Sequence, residues 1–168
     1  MNEKVYDTDA VIERLKAYGE MVRDYRFQLE RLERIETKLV GVGAQAITDM
    51  PKSPSPSNDR VTDLLQQKFD LEAELGETCE EITEERRELD KAIKSLKVAS
   101  QRAVIRRRYL DLSAFKDVNE FVFGGEIDFL DKEESYLRRI FNIHGAALVG
   151  LAEYFGLYKA DTEDTAEA

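Results

Sequence analysis

Between Lys97 and His144 the chain carries nine basic side chains, among them the runs Arg106-Arg107-Arg108 and Arg138-Arg139. Cations grouped in this way suit contact with phosphates, which need a positive surface. Eight acids share the segment, so its net charge is +1, against −11 for the remainder of a chain whose total is −10. Arginines on helices are also commonly solvated and paired with nearby carboxylates. Charge alone therefore favours the solvated, paired face over DNA.

Other chemistry has little to work with. The 168 residues include one histidine, His144, one cysteine, Cys79, and no tryptophan. A Cys/His metal centre and an intramolecular disulfide are excluded by that count. His144 shares a helical stripe with Ile140, Ile143 and Leu148, without a carboxylate and nucleophile to complete a triad, so it reads as a packing residue. Cys79 lies among Glu77, Glu80 and Glu81, which disfavour a reactive thiolate. The acids of 77–90 lack the loop that a calcium site needs, and GVG at 41–43 lacks the strand and helix of a phosphate loop. The expectation is a non-enzyme with no cofactor, no metal and no small-molecule substrate. No apolar run reaches the roughly 20 residues that span a bilayer, and MNEKVYDTDA has neither signal nor transit character. No membrane partner is expected, and the expected location is the cytoplasm.

Helices must position these cations. Val11, Leu15, Tyr18, Val22, Tyr25, Leu29 and Leu32 alternate at spacings of four and three, the seam of a coiled coil. The seam then slips to Ile35 and Leu39, and Gly41 and Gly43 supply a helix end. The spacing predicts a helix over Thr8–Val40. All three prolines, Pro51, Pro54 and Pro56, fall in the Ser-rich stretch 41–60, which predicts a loop. A second helical stretch is predicted from Val61 to about Leu110, with Leu75, Ile82, Leu89 and Leu96 recurring every seven residues and Lys68, Thr78 and Glu85 interrupting the stripe. Two such helices joined by a loop fold back as an antiparallel hairpin, or pair between chains as an intermolecular coiled coil.

The last third reads differently. Ser113 is expected to cap a short helix near Ala114–Phe123, ended by Gly124-Gly125. Asp131 and Glu134 make a capping box for a helix over about Lys132–Phe155. This order is that of a helix-turn-helix, whose second helix presents its first turns to base edges in the major groove. Ser135, Arg138, Arg139 and Asn142 would then address bases, arginine pairing bidentately with guanine and asparagine with adenine. Arg106, Arg107, Arg108, Lys116, Lys132 and the Tyr136 hydroxyl would meet phosphates. The expected core of this unit is Ile105, Leu110, Phe115, Val118, Phe121, Val122, Leu137, Phe141 and Leu148.

Three stretches, RAVIRRRYL, AFKDVNEFVFG and SYLRRIFNIHGAALVGLAEYF, resemble phage-encoded transcriptional regulators of the ArpU/RinA type. The matching pieces are an (I/L)-x-x-RY(L/I) helix end at Ile105–Leu110, the aromatic Phe115, and an (R/Y)-x-x-x-IHG-x-AL helix at Arg139–Leu148. Phe115 stands where the family has tryptophan, and the connection Gly124–Asp131 is longer and more acidic. The resemblance implies an N-terminal coiled region before a sigma-region-4-like helix-turn-helix. It further implies double-stranded DNA and host RNA polymerase as partners, a homo-oligomer, and control of late or structural phage operons in a bacterial cytoplasm.

The expected fold is thus all-α. Residues 1–96 would form a helical hairpin or coiled coil, 97–157 a helix-turn-helix unit, and 158–168 a disordered acidic tail. The competing function is an acidic helical interaction protein that binds or sequesters a protein partner, which the net charge and the acidic connection favour.

Overall fold

The computed structural model describes residues 5–45 and 57–159, and within them the chain is all-α. Its helices are α1 (Thr8–Gln45), α2 (Ser57–Ser95), α3 (Ala99–Ile105), α4 (Phe115–Phe123) and α5 (Glu133–Phe155), with a π-helical turn over Arg106–Leu110. Two compact units divide it, Glu20–Glu84 and the discontinuous Met1–Gly19 with Glu85–Ala168. The boundary expected between 96 and 97 falls inside the second of these. Residues 46–56, the heart of the Pro/Ser-rich loop, lie outside the described residues.

In the unit Glu20–Glu84 the contacts between α1 and α2 run antiparallel. Gln28 reaches Glu74 at 3.5 Å and Lys68 reaches Glu36 at 2.9 Å, so partners on α2 descend as residues on α1 ascend. Ile35, Leu71 and Leu75 are buried between the helices, with Tyr25, Leu32, Leu39 and Leu64 packed around them. Lys68 thus interrupts the apolar stripe because it holds Glu36, which raises the Lys68 ammonium above its ordinary range. Gly41 does not end α1, which continues to Gln45. A glycine costs about 1 kcal/mol inside a helix, too little by itself to end one.

The discontinuous unit closes on the chain's two ends. The Asp7 N–H donates to the Leu157 carbonyl (3.1 Å) and the Lys159 N–H to that of Val5 (2.9 Å). The Tyr6 and Tyr158 rings pack at 5.4 Å. Tyr158 and Lys159, expected in a disordered tail, are therefore fixed, and 160–168 lie outside the described residues. Arg14 and Glu85 form a two-pronged ion pair at 2.7 and 3.1 Å, which explains why Glu85 sits on an otherwise apolar stripe.

The long second helix expected to reach Leu110 breaks after Ser95, although no proline or glycine stands there. Tertiary packing overrides the local pattern. Leu96, only 5% exposed, lodges against Gly150 of α5, its Cδ2 2.7 Å from where a Cβ at Gly150 would be. Val98 is extended, and Arg102 donates from Nη1 to the Leu96 carbonyl at 2.5 Å, satisfying a group the break sets free. The next connection also departs from expectation. Ala114, not Ser113, is the N-cap of α4. Leu112 adopts a left-handed φ of 56°, where its side chain meets Gly19.

Around these breaks lies one core. Val104 of α3, Val118 of α4 and Ile140 of α5 are fully buried together, flanked by Phe115, Val122, Phe123 and Ile143. Of the nine core residues expected, Phe121 and Phe141 are instead exposed, at 59% and 47%. Leu112, Ser113 and Ala114 displace α4 from the helical phase of the preceding turn, so spacing alone misplaces Phe121.

Candidate nucleic-acid interface

α5 is amphipathic over its whole length. Tyr136, Ile140, Ala147, Leu148, Leu151 and Ala152 are buried on one side. Residues 135, 138, 139 and 142 fall at helical spacings of three and four, so Ser135, Arg138, Arg139 and Asn142 share one exposed stripe. The four expected base-reading side chains are therefore brought together and face outward. Among the described residues, the side chains of Ser135 and Asn142 make no hydrogen bond. Arg138 lies 3.6 Å from Glu134, both largely exposed, an ion pair that water screens to well under about 1 kcal/mol.

Arg139 is held differently. Its guanidinium lies 4.7 Å from the Phe123 ring centroid and 5.3 Å from that of Tyr136, and no carboxylate among the described residues pairs with it. The two rings pack on each other at 4.9 Å. Tyr136 is 8% exposed and donates its hydroxyl to Asp128 at 2.7 Å. This corrects its expected phosphate contact: the hydroxyl is already committed within the protein. Lys132 pairs with the same Asp128 at 2.7 Å, so the two donors, Lys132 foremost, hold the Asp128 carboxyl below its ordinary range. The Lys132 ammonium is raised in return.

The connection Gly124–Lys132 owes its shape to this network. Asp128 and Phe129 turn inward, Phe129 packing on Tyr136 at 5.9 Å, while Ile127 and Leu130 are almost wholly exposed. Backbone N–H groups of Glu126, Phe129 and Lys132 donate to the carbonyls of Phe123, Glu126 and Asp128, so the segment is a chain of turns. The capping box expected of Asp131 and Glu134 is not formed; Lys132 is the N-cap and makes no side-chain cap hydrogen bond. Asn119 fixes the start of α5 in another way. It is 1% exposed and donates from Nδ2 to the Glu133 carbonyl at 3.1 Å, tying α4 to the start of α5. Its Oδ1 is buried without a partner among the described residues.

The remaining expected phosphate contacts do not form one basic face. Arg106 pairs with Asp90 at 2.9 Å. Arg107 pairs with Asp111 at 3.3 Å and stacks on Phe121 at 4.6 Å. Arg108 turns inward, donating to the Ser113 carbonyl at 3.0 Å and stacking on Phe115 at 4.8 Å, so it braces the connection before α4. Lys116 lies 3.9 Å from Glu133 and is otherwise exposed. His144 contacts Tyr109 through Nε2 and the phenol oxygen, 2.9 Å apart, with its ring edge on Phe115. Burial, reinforced by the Arg108 charge, lowers its pKa below the ordinary 6.5. That is the packing role its sequence position suggested.

Three contributors escaped sequence reasoning: Phe123, Asn119 and Asp128. For Asn119 a signal existed, since it lies on the stripe Phe115–Val118–Val122, where a polar residue implies a buried partner. Among the described residues no group of three or more His, Cys, Asp or Glu could hold a metal, and no helix is long and apolar enough to cross a membrane. Compared with known proteins, the chain matches no family model, no curated protein and no solved structure.

Proposed function

We propose that this protein is a sequence-specific binder of double-stranded DNA, a transcriptional regulator of the phage type that its C-terminal third resembles. One observation carries the reading: Ser135, Arg138, Arg139 and Asn142 form a single exposed stripe on the opening turns of a helix whose other side is locked into a core. Donors of these types at these spacings match the edges of guanine and adenine in the major groove. As a homodimer the protein would present two such stripes to half-sites about one DNA turn, near 34 Å, apart. The regulated genes would be late or structural phage operons, with host polymerase as the recruited partner, in the bacterial cytoplasm.

A second reading rests on a specific observation of its own. Arg106, Arg107, Lys116, Lys132 and Arg138 each have a carboxylate partner, and the whole chain is at −10. An acidic protein that has neutralised its own cations suits a basic protein partner better than a phosphate backbone. Retention of fragments of the source genome, with competitor DNA at two salt concentrations, separates the two. Retention of one fragment, weakening as salt rises, is the expected result. A folded protein that retains none would replace the first reading by the second.

A further inference from the structure

Arg139 is unlike the other cations near α5. Lys116, Lys132 and Arg138 have acids within 4 Å, whereas the Arg139 guanidinium lies over two rings and has no carboxylate partner among the described residues. A guanidinium held over aromatic rings without a carboxylate partner keeps its N–H donors for another acceptor. Contact with two rings also restricts the side chain and so lowers the rotamer freedom left to lose on binding. The shelf itself is fixed from behind. The Tyr136 hydroxyl is tied to Asp128, Asp128 to Lys132, and Phe123 belongs to the margin of the buried cluster of Val104, Val118 and Ile140.

We infer that Arg139 is the guanine-specifying residue of the interface, a preset bidentate donor to the O6 and N7 atoms of one guanine, with Phe123 and Tyr136 as its positioning residues. This rests on the DNA-binding reading above. Guanine is favoured over phosphate because Arg139 lies in the second turn of α5, on the stripe shared with Ser135 and Asn142. In a helix-turn-helix that part of the helix faces base edges rather than the backbone. The acids Glu133 and Glu134 of the first turn, unfavourable beside a phosphate, are tolerable beside a base edge.

The test is selection by the full-length protein from a library of double-stranded DNA with a randomised core, repeated with Arg139→Lys and Phe123→Leu. The wild type should select a motif with a fixed guanine. Arg139→Lys keeps the charge but not the fork, and should lose preference at that one position by about tenfold or more while the rest of the motif persists. Replacing that guanine by 7-deazaguanine should weaken wild-type binding and leave Arg139→Lys binding unchanged. Phe123→Leu should reduce the same preference about two- to fivefold, and Phe123→Tyr should restore it. A motif that survives intact in Arg139→Lys, with the salt dependence of binding also unchanged, would make Arg139 a phosphate contact and overturn the inference while leaving DNA binding in place. No motif at all from the folded wild type would overturn both.

Discussion

In the unit Glu20–Glu84 three apolar side chains are buried, Ile35, Leu71 and Leu75, each still touched by solvent, and the residues packed around them are only partly buried. In the discontinuous unit Val104, Val118 and Ile140 are completely closed off, and even the polar groups have fixed places: Asn119 on Glu133, Tyr136 on Asp128, His144 on Tyr109. The charge differs as well. Residues 20–84 hold 15 acids and 8 bases, a net −7, which leaves −3 for the remainder. An amphipathic helix pair needs only a narrow stripe to form, so it can be long, acidic and thinly packed. A surface that reads a ligand needs its side chains held to a fraction of an ångström, and only a filled core does that. The exposed stripe on α5 stands on a helix whose other side is part of that filled core.

The harshest way to break this contrast is a charge in the dense unit. Leu89, 1% exposed, should not tolerate Leu89→Glu: an unpaired buried carboxylate should cost more than about 4 kcal/mol and abolish cooperative melting. An unaltered melting curve would show that Leu89 is not core. Cavities give a graded comparison. Ile140→Ala should cost about 3–5 kcal/mol, and Ile35→Ala about 2 kcal/mol, because half-exposed neighbours can collapse onto the smaller residue. Urea denaturation measures both, and equal losses would erase the distinction. Amide exchange should likewise be faster over 20–84.

Polar groups sharpen it further. Asn119→Ala should cost about 1–3 kcal/mol by removing a buried hydrogen bond between α4 and α5 and leaving a gap in its place, and should shift amide resonances at the start of α5 while sparing those of residues 20–84. The smallest effect is a pH dependence. His144 in the folded protein titrates below its ordinary 6.5, so the unfolded chain takes up a proton that the folded one refuses. The contribution is present above that value and is lost as pH falls from about 6.5 through the lower folded pKa. The melting temperature should therefore drop between about pH 7 and about pH 5, and less so in His144→Gln. An identical drop in the variant would assign it elsewhere.

These features were unequally legible in the sequence. The seam of α1, the short α4 and the long α5 followed from apolar spacing, because a helix stripe is a local property. So did the exposed stripe of Ser135, Arg138, Arg139 and Asn142. The break at Leu96–Val98 was invisible, since its cause is Gly150, more than fifty residues away. Arg108 was read as a surface cation because nothing local announces that its guanidinium will stack on Phe115. Asp131 looked like a cap by spacing, yet Asp128 is the acid with a structural task, set by a tyrosine eight residues on. What was hidden in each case is a partner on another element, out of reach of the spacing within one helix.

The most direct test compares the two units as DNA-binding surfaces. Binding to a selected or genomic site would be measured for the wild type, for a variant with Ser135, Arg138, Arg139 and Asn142 replaced by Ala, and for one with the exposed Arg26, Arg31 and Arg34 replaced by Ala. The α5 variant should remain folded and lose its site preference, while the helix-pair variant should keep it. Unchanged site preference in a folded α5 variant would contradict the assignment of function to that stripe.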